Sequence, residues 1–351
     1  MKISIISFTE KGAALAQTVR NSLAREMEIT LSTKHRALPD DWEAVYVEES
    51  LSRWAGERFR EHSAVLFIGA CGIAVRAIAP SVRDKLEDSP VLVMDEAGRF
   101  VIPLLSGHFG GANGLAERIA EKTGAVPVIT TATDVNGLFA ADVFARRNRL
   151  AVCNRGGIAN VSSALLAGKP VTMAVAGSCT GSWPKELTPV TYPVDGRASV
   201  IVSPFAADAE KADLQLCPKA FVLGIGCRRG KSFPEIEEAV EKQRKKAGLR
   251  RESLAAVASV DRKKDEQGLL EFAEKHGLPF LTFSADRLKA VGGGFASSAF
   301  VEEQVGVDNV CERAAMAACG EGGKFLVRKY AENGITVAIA QKKWSVSFDE
   351  T

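Results

Sequence analysis

The run Leu104-Leu-Ser-Gly-His-Phe-Gly-Gly-Ala-Asn113 sets one histidine, His108, among the small residues Ser106, Gly107, Gly110, Gly111 and Ala112. An imidazole exchanges protons near neutral pH, and few neighbours here are large enough to bury it. The apolar stretch Val101–Leu105 precedes the run and a helix-like stretch, Asn113–Lys122, follows it. A glycine-rich turn between strand and helix exposes backbone N–H groups where negative charge is favoured. The pattern therefore places a proton-exchanging group beside donors able to hold an anion. The plain alternative is a tight turn that glycine permits, with an exposed histidine.

Other clusters repeat parts of this logic. In Phe67-Ile-Gly-Ala-Cys-Gly-Ile-Ala-Val-Arg76, Gly69 and Gly72 permit close backbone approach and Arg76 can face an anion. Cys71 is a nucleophile there if the helix start lowers its pKa, and a packed core thiol otherwise. Thr131-Ala-Thr-Asp-Val-Asn-Gly137 offers Asp134 and Thr133, for which helix capping is the simpler role. Asn154-Arg-Gly-Gly-Ile-Ala-Asn160 is a small polar turn carrying Arg155 and Asn160. Asp261 follows a strand, at the end where open α/β sheets hold ligands. Ser297 and Ser298, within Phe295–Glu302, could contribute hydroxyls or cap a helix. Glu312 and Arg313 read as a surface pair.

Gly224-Ile-Gly-Cys-Arg-Arg-Gly-Lys-Ser232 invites a nucleotide reading, but a phosphate loop needs glycine where this chain has Ile225. The context is still strand, glycine turn and basic residues, with a helix opening at Ser232 and Pro234 in its first turn. Gly226, Arg228, Arg229 and Lys231 can bind an anion there, carboxylate as well as phosphate, or form a solvated basic loop.

The elements that must position these residues alternate along the chain. Lys2–Phe8, Ala64–Ile68 and Val126–Ile129 read as strands, Gly12–Met27 as an amphipathic helix, and Val91–Met94 with Phe100–Pro103 as a hairpin. A helix is predicted to start in Asp134–Val143 and extend toward Arg149, with another over Gly157–Leu166 and a strand at Val171–Val175. Proline-punctuated short strands and a linker are expected up to Pro218. Beyond it, strands at Ala220–Gly226, Leu254–Val260 and Phe280–Phe283 alternate with helices at Phe233–Lys246, Gln267–His276 and Asn309–Cys319. A hairpin, Lys324–Ala331 with Gly334–Gln341, closes the chain. The fold class is α/β: open, mostly parallel sheets with flanking helices in an N-terminal and middle part, and a separate C-terminal α/β domain. The expected divisions are 1–129, 130–218 as middle segment and linker, and 219–351.

Composition narrows the classes. Lys+Arg 45 against Asp+Glu 43 leaves no footprint of a general nucleic-acid binder. No apolar run suggests a membrane span, and the first residues lack the pattern of a signal peptide. Seven scattered cysteines without a Cys-x-x-Cys pair, and four histidines, argue against a structural zinc site and for a reducing cytoplasm.

Taken together, Phe67–Pro80, Leu104–Asn113, Thr131–Asp142, Arg155–Asn160, Leu223–Lys231, Ser259–Asp261 and Gly306–Ala315 resemble the cobalt-precorrin-5A hydrolases of anaerobic cobalamin biosynthesis. The resemblance covers nearly the whole chain, and its C-terminal part is also similar to a separate small protein of the aerobic corrin pathway. It implies a cobalt-bearing tetrapyrrole substrate whose extruded carbon sits in a δ-lactone. Water opens the lactone and that carbon leaves with its methyl group as acetaldehyde, giving cobalt-precorrin-5B. On this reading His108 is catalytic, and Ser106, Gly110, Gly111 and Asn113 form its donor environment. Gly69, Gly72, Asp134, Asn160, Gly226 and Asp261 line the substrate, while Arg76, Arg155, Arg228 and Lys231 hold its carboxylates. No cofactor and no protein-bound metal are expected, because the cobalt arrives inside the substrate. Partners reduce to that tetrapyrrole, without nucleic acid or membrane; a homodimer and transient contacts with other corrin-pathway enzymes are compatible. The alternative is a non-catalytic corrinoid carrier, which would bind substrate and release no acetaldehyde.

Overall fold

A computed structural model of the chain describes residues 2–39, 42–84, 87–295, 306 and 308–349. It divides into two compact units, Met1–Val143 and Phe144–Thr351.

The first unit is built on seven strands. In chain order its elements are β1 (Lys2–Ser7), α1 (Glu10–Leu23), β2 (Glu28–Thr33), β3 (Val45–Tyr46), α2 (Leu51–Arg60), β4 (Ala64–Ile68) and α3 (Cys71–Ile78). Then come β5 (Val91–Met94), β6 (Phe100–Leu105), α4 (Ala112–Thr123), β7 (Val126–Pro127), α5 (Ala132–Val135) and the first residues of α6 (Ala141–Arg147), which continues past Val143 into the second unit. The strand order is β3-β2-β1-β4-β5-β6-β7. Every residue of β4 is buried, as a central strand covered on both faces requires. All neighbours are parallel except the β5–β6 hairpin, where Leu105 pairs with Val91 and Val101 with Met94.

That one reversal decides where the loops go. The carboxyl end of β6 lies beside the amino end of β5, so the His108 turn opens at that edge of the sheet. Gly69, after β4, instead donates its N–H to Met94 O at the carboxyl end of β5, 2.9 Å away. The two glycine turns therefore sit at opposite edges. Because β7 runs parallel to β6, the Thr131–Asp134 segment that follows it reaches the His108 edge.

The second unit holds two further five-stranded sheets. The first contains β8 (Leu150–Val152), β9 (Val171–Val175), β11 (Leu187–Pro189), β12 (Ala198–Val202) and β13 (Ala212–Pro218), in the order β11-β9-β12-β13-β8. Helix α7 (Gly156–Leu166) packs on it, while β10 (Ser178–Thr180) pairs with the last strand, β19 (Ser345–Ser347). The other sheet, β16-β15-β14-β18-β17, has β14 (Phe221–Cys227), β15 (Leu254–Val260) and β16 (Phe280–Phe283) parallel. The hairpin β17 (Lys324–Glu332) and β18 (Ile335–Gln341) completes it antiparallel. Helices α8 (Phe233–Lys246), α9 (Gln267–Lys275), α10 (Ala285–Lys289) and α11 (Val310–Cys319) flank this sheet.

Two expectations are corrected. The stretch read as a linker before Pro218 is β13, a core strand with Leu214, Leu216 and Cys217 fully buried. Its polar Gln215 is tolerated because its amide donates to Ser203 O and Phe205 O. The single helix expected from Asp134 toward Arg149 is two helices, α5 and α6, parted by a turn in which Gly137 is left-handed at φ +60°. Among the described residues no helix is long and apolar enough to cross a membrane.

Candidate active site

The turn after β6 is shaped by close approaches. Ser106 takes a left-handed backbone at φ +55°, and its hydroxyl donates to Asp88 O at 2.8 Å. A side chain at Gly107 would bring its Cβ within 2.6 Å of Asn113 Oδ1, and one at Gly110 would collide with Ser106. Gly111 is left-handed, at φ +88°, and opens α4. Ala112 N–H and Asn113 N–H then donate to the Ser106 and Gly107 carbonyls. The glycines are thus the residues that let the turn fold back on the helix start.

His108 projects from this turn into a polar cluster drawn from α4, α5 and α6. Its Nε2 lies 2.8 Å from Asp134 Oδ2 and 3.2 Å from Thr133 Oγ1, and its Nδ1 lies 3.3 Å from Asp142 Oδ1. Asn113, buried at the start of α4, donates its amide to Asp134 Oδ2 and to Thr131 Oγ1. The Asp142 side chain is 12% exposed and that of Asp134 31%, so one carboxylate backs the ring while the other meets solvent. The hydrogen bond that the His108 ring donates to Asp142 raises the His108 pKa against the opposing pull of burial, and the charges of Asp142 and Asp134 add to the rise. Burial pushes the Asp142 carboxyl up, but the bond and charge of His108, together with backbone N–H bonds that include that of Val143, outweigh it and hold the carboxyl below its ordinary value. The cluster can hold a proton on the ring near neutral pH and move it at Nε2.

The N-terminal model of the cobalamin synthesis G family matches residues 53–134, the cobalamin biosynthesis central region 139–218, and the cobalamin synthesis G C-terminus 221–340. The cobalt-precorrin-5A hydrolase of Salmonella typhimurium is 34% identical over 96% of this chain and 97% of its own. The chain belongs to the cobalt-precorrin-5A hydrolase family. The enzyme of that name from Priestia megaterium is 29% identical over 96% of the chain and 94% of its own length. Protein CobE of Sinorhizobium is 30% identical over 34% of the chain and 78% of its own.

Within this hydrolase the structure gathers Ser106, His108, Gly110, Gly111, Asn113 and Asp134, and adds Thr133 and Asp142. Ser106 and Asn113 spend their donors on protein groups, so they shape the cluster. Gly69, Gly72 and Arg76 lie elsewhere: Gly69 is at the opposite sheet edge, and Arg76, exposed, donates to Gly72 O at 3.0 Å. Cys71 packs against the apolar cluster around Phe67 and Ile6.

The remaining expected residues belong to the second unit. Arg155 and Asn160 are exposed at the start and on the surface of α7, whose Gly157 abuts the β13 backbone. Gly226 is not in a loop; it lies in β14, one residue before its end, where a Cβ would lie 2.6 Å from Thr336 Oγ1. Ile225 is fully buried within the same strand, so the backbone that would wrap a phosphate is committed to the sheet. Arg228 is exposed and its N–H donates to Gly334 O, whereas Lys231 pairs with Glu235 at 2.7 Å. Glu235 and Ser232 form the cap of α8. Asp261 is exposed and opens a short helical turn at the end of β15. The expected surface pair is two separate groups, because Glu312 is buried and accepts the Lys329 N–H while Arg313 binds Asp308. Ser297 and Ser298 lie outside the described residues, as does Val307 of Gly306–Ala315. Among the described residues no group of three or more histidine, cysteine and carboxylate side chains is arranged to hold a metal ion.

Asp142 is the residue that sequence reasoning missed. On one continuous helix, Asp134 and Asp142 would stand about 12 Å apart along the axis. Only the turn at Gly137 brings both to the same ring.

Proposed function

We propose that this chain opens the δ-lactone of cobalt-precorrin-5A by adding water, with His108 as the residue that transfers the proton. Hydrolysis gives a carboxylate and frees the alcohol oxygen on the extruded carbon. Breaking the carbon–carbon bond then releases that carbon and its methyl group as acetaldehyde, the macrocycle takes the electron pair, and cobalt-precorrin-5B remains. The observation that carries the reading is the Asp142–His108–Asp134 cluster on a glycine turn, in a chain 34% identical to a named hydrolase of this kind.

In this reading the cobalt travels with the substrate, and water activation uses side chains of the protein. The basic loops of the second unit, Arg228 foremost, hold carboxylates of the substrate rim. The setting is the cytoplasm, where the seven cysteines stay reduced. A homodimer and transient contact with other corrin-pathway enzymes belong to the same proposal.

The test is His108→Ala. The fold persists by circular dichroism, and acetaldehyde release, read with a coupled alcohol dehydrogenase, falls about 10²-fold or more. A wild-type rate in the folded variant removes His108 from the chemistry. Substrate binding with no acetaldehyde from the wild-type protein would make it a carrier.

A further inference from the structure

We propose that Asp142 is the positioning residue of the reaction: its carboxylate takes the Nδ1–H of His108, fixes the tautomer and setting of the ring, and makes Nε2 the atom that exchanges protons with the substrate. The inference rests on the reading of His108 as the proton-transfer residue.

Three observations support it. First, the two carboxylates are not equivalent. Asp142 sits behind the ring, its side chain 12% exposed and its Oδ1 also accepting the Val143 N–H at 3.0 Å. Asp134 stands on the open side, 31% exposed, against Nε2. An orienting group belongs on the buried side, because it must not be displaced when substrate enters.

Second, the ring has a partner at Nε2 for each protonation state. With Nδ1–H committed to Asp142, the imidazolium donates Nε2–H to Asp134 Oδ2 at 2.8 Å. After that proton leaves, the bare Nε2 can accept from Thr133 Oγ1 at 3.2 Å. The proton can therefore come and go without rotation of the ring, provided Nδ1 stays tied. The titratable groups facing the ring are Asp142 from α6 and Asp134 from α5, with Thr133 as a neutral neighbour and the Asn113 amide bonded to Asp134.

Third, Asp142 reaches this place only through the Gly137 turn.

The deciding experiment follows kcat against pH, together with the NMR titration of the His108 ring, in Asp142→Asn and Asp142→Glu. Asparagine keeps the shape and loses the charge. It should lower kcat about 10²-fold with KM within about two-fold, and it should move the His108 titration and the matching limb of the profile to lower pH. The shift has this sign whether His108 acts as acid or base, because a raising charge is removed. Asp142→Glu keeps the carboxylate and should hold the limb near its wild-type place.

A loss of kcat with an unmoved limb would make Asp142 merely structural, and an unchanged kcat and limb would give it no role. Either result overturns the proposal. Both leave the lactone reading intact as long as His108→Ala is inactive.

Discussion

His108 and Asp142 shift each other in opposite directions, and those signs fix when their pairing stabilises the fold. The His108 pKa is raised, so its contribution is complete below the unfolded histidine value of about 6.5 and is lost as pH climbs through the higher folded value. The Asp142 pKa is lowered, so its contribution is complete above the ordinary carboxylate value of about 4 and is lost as pH falls through the depressed one. The pair therefore acts in weakly acidic to neutral solution. The melting temperature of Asp142→Asn should lie about 2–4 °C below wild type near pH 6, with the gap closing by about pH 9. A constant gap across that range would mean that lost packing, not charge, sets the cost. At Gly107 a methyl group would press on Asn113 Oδ1, where the Cβ falls at 2.6 Å, and would push the Asn113 amide off Asp134. Gly107→Ala should therefore depress acetaldehyde release about tenfold or more while costing about 1–2 kcal/mol of stability in denaturant titration. Full activity would show that Asn113 is not needed to hold the Asp134 carboxylate.

The elements divide by how strongly their sequences declare them. Strongly periodic segments bounded by clear signals were readable residue by residue: α8 as Phe233–Lys246, β15 as Leu254–Val260 and β16 as Phe280–Phe283 stand where the pattern puts them. The β5–β6 and β17–β18 hairpins were equally legible from their turns. Elements with weak apolar content were not. Strand β2 keeps its buried residues at one end, and α2 buries only Trp54 and Ala55, so neither announces itself. The α5–α6 break does carry a local signal, the turn dipeptide Asn136-Gly137, which a helix reading carried through from Asp134 toward Arg149 passes over. The His108 turn, Asn113 and Asp134 were legible as candidates from residue type and spacing, but Asp142 depends on that break. Gly137 is left-handed and a Cβ there would meet nothing, so substitution is costly only through the backbone. Gly137→Ala should cost about 1–2 kcal/mol and lower kcat by loosening the Asp134–Asp142 spacing, whereas Gly137→Asn, which tolerates this conformation, should recover most of both. Equal kcat in all three proteins would uncouple the turn from the site.

At the scale of the whole molecule the proposed proton-transfer residues and the proposed carboxylate-binding residues belong to different units, and kinetics can test each proposal by itself. The His108 cluster belongs to the first unit, while Arg228 and Lys231 follow β14 in the second. Rim carboxylates of the substrate are held alike before and during reaction, so a group that binds them changes KM and leaves kcat nearly constant. The two cations should differ. Lys231 already pairs with Glu235 at 2.7 Å, and that carboxylate, held down to about 2 by Lys231 and by the Ser232 cap, keeps its charge throughout the working range. Arg228 is exposed, makes no ion pair with a described residue, and presents a planar fork suited to a carboxylate. Arg228→Ala should raise KM about three- to tenfold, a larger change than Lys231→Ala produces, with kcat within about two-fold in both. The excess over wild type should shrink as salt is added, since screening weakens the contact that the variant has already lost. Unchanged KM in Arg228→Ala at low salt would confine this loop to the second unit's own structure and leave carboxylate recognition to other residues.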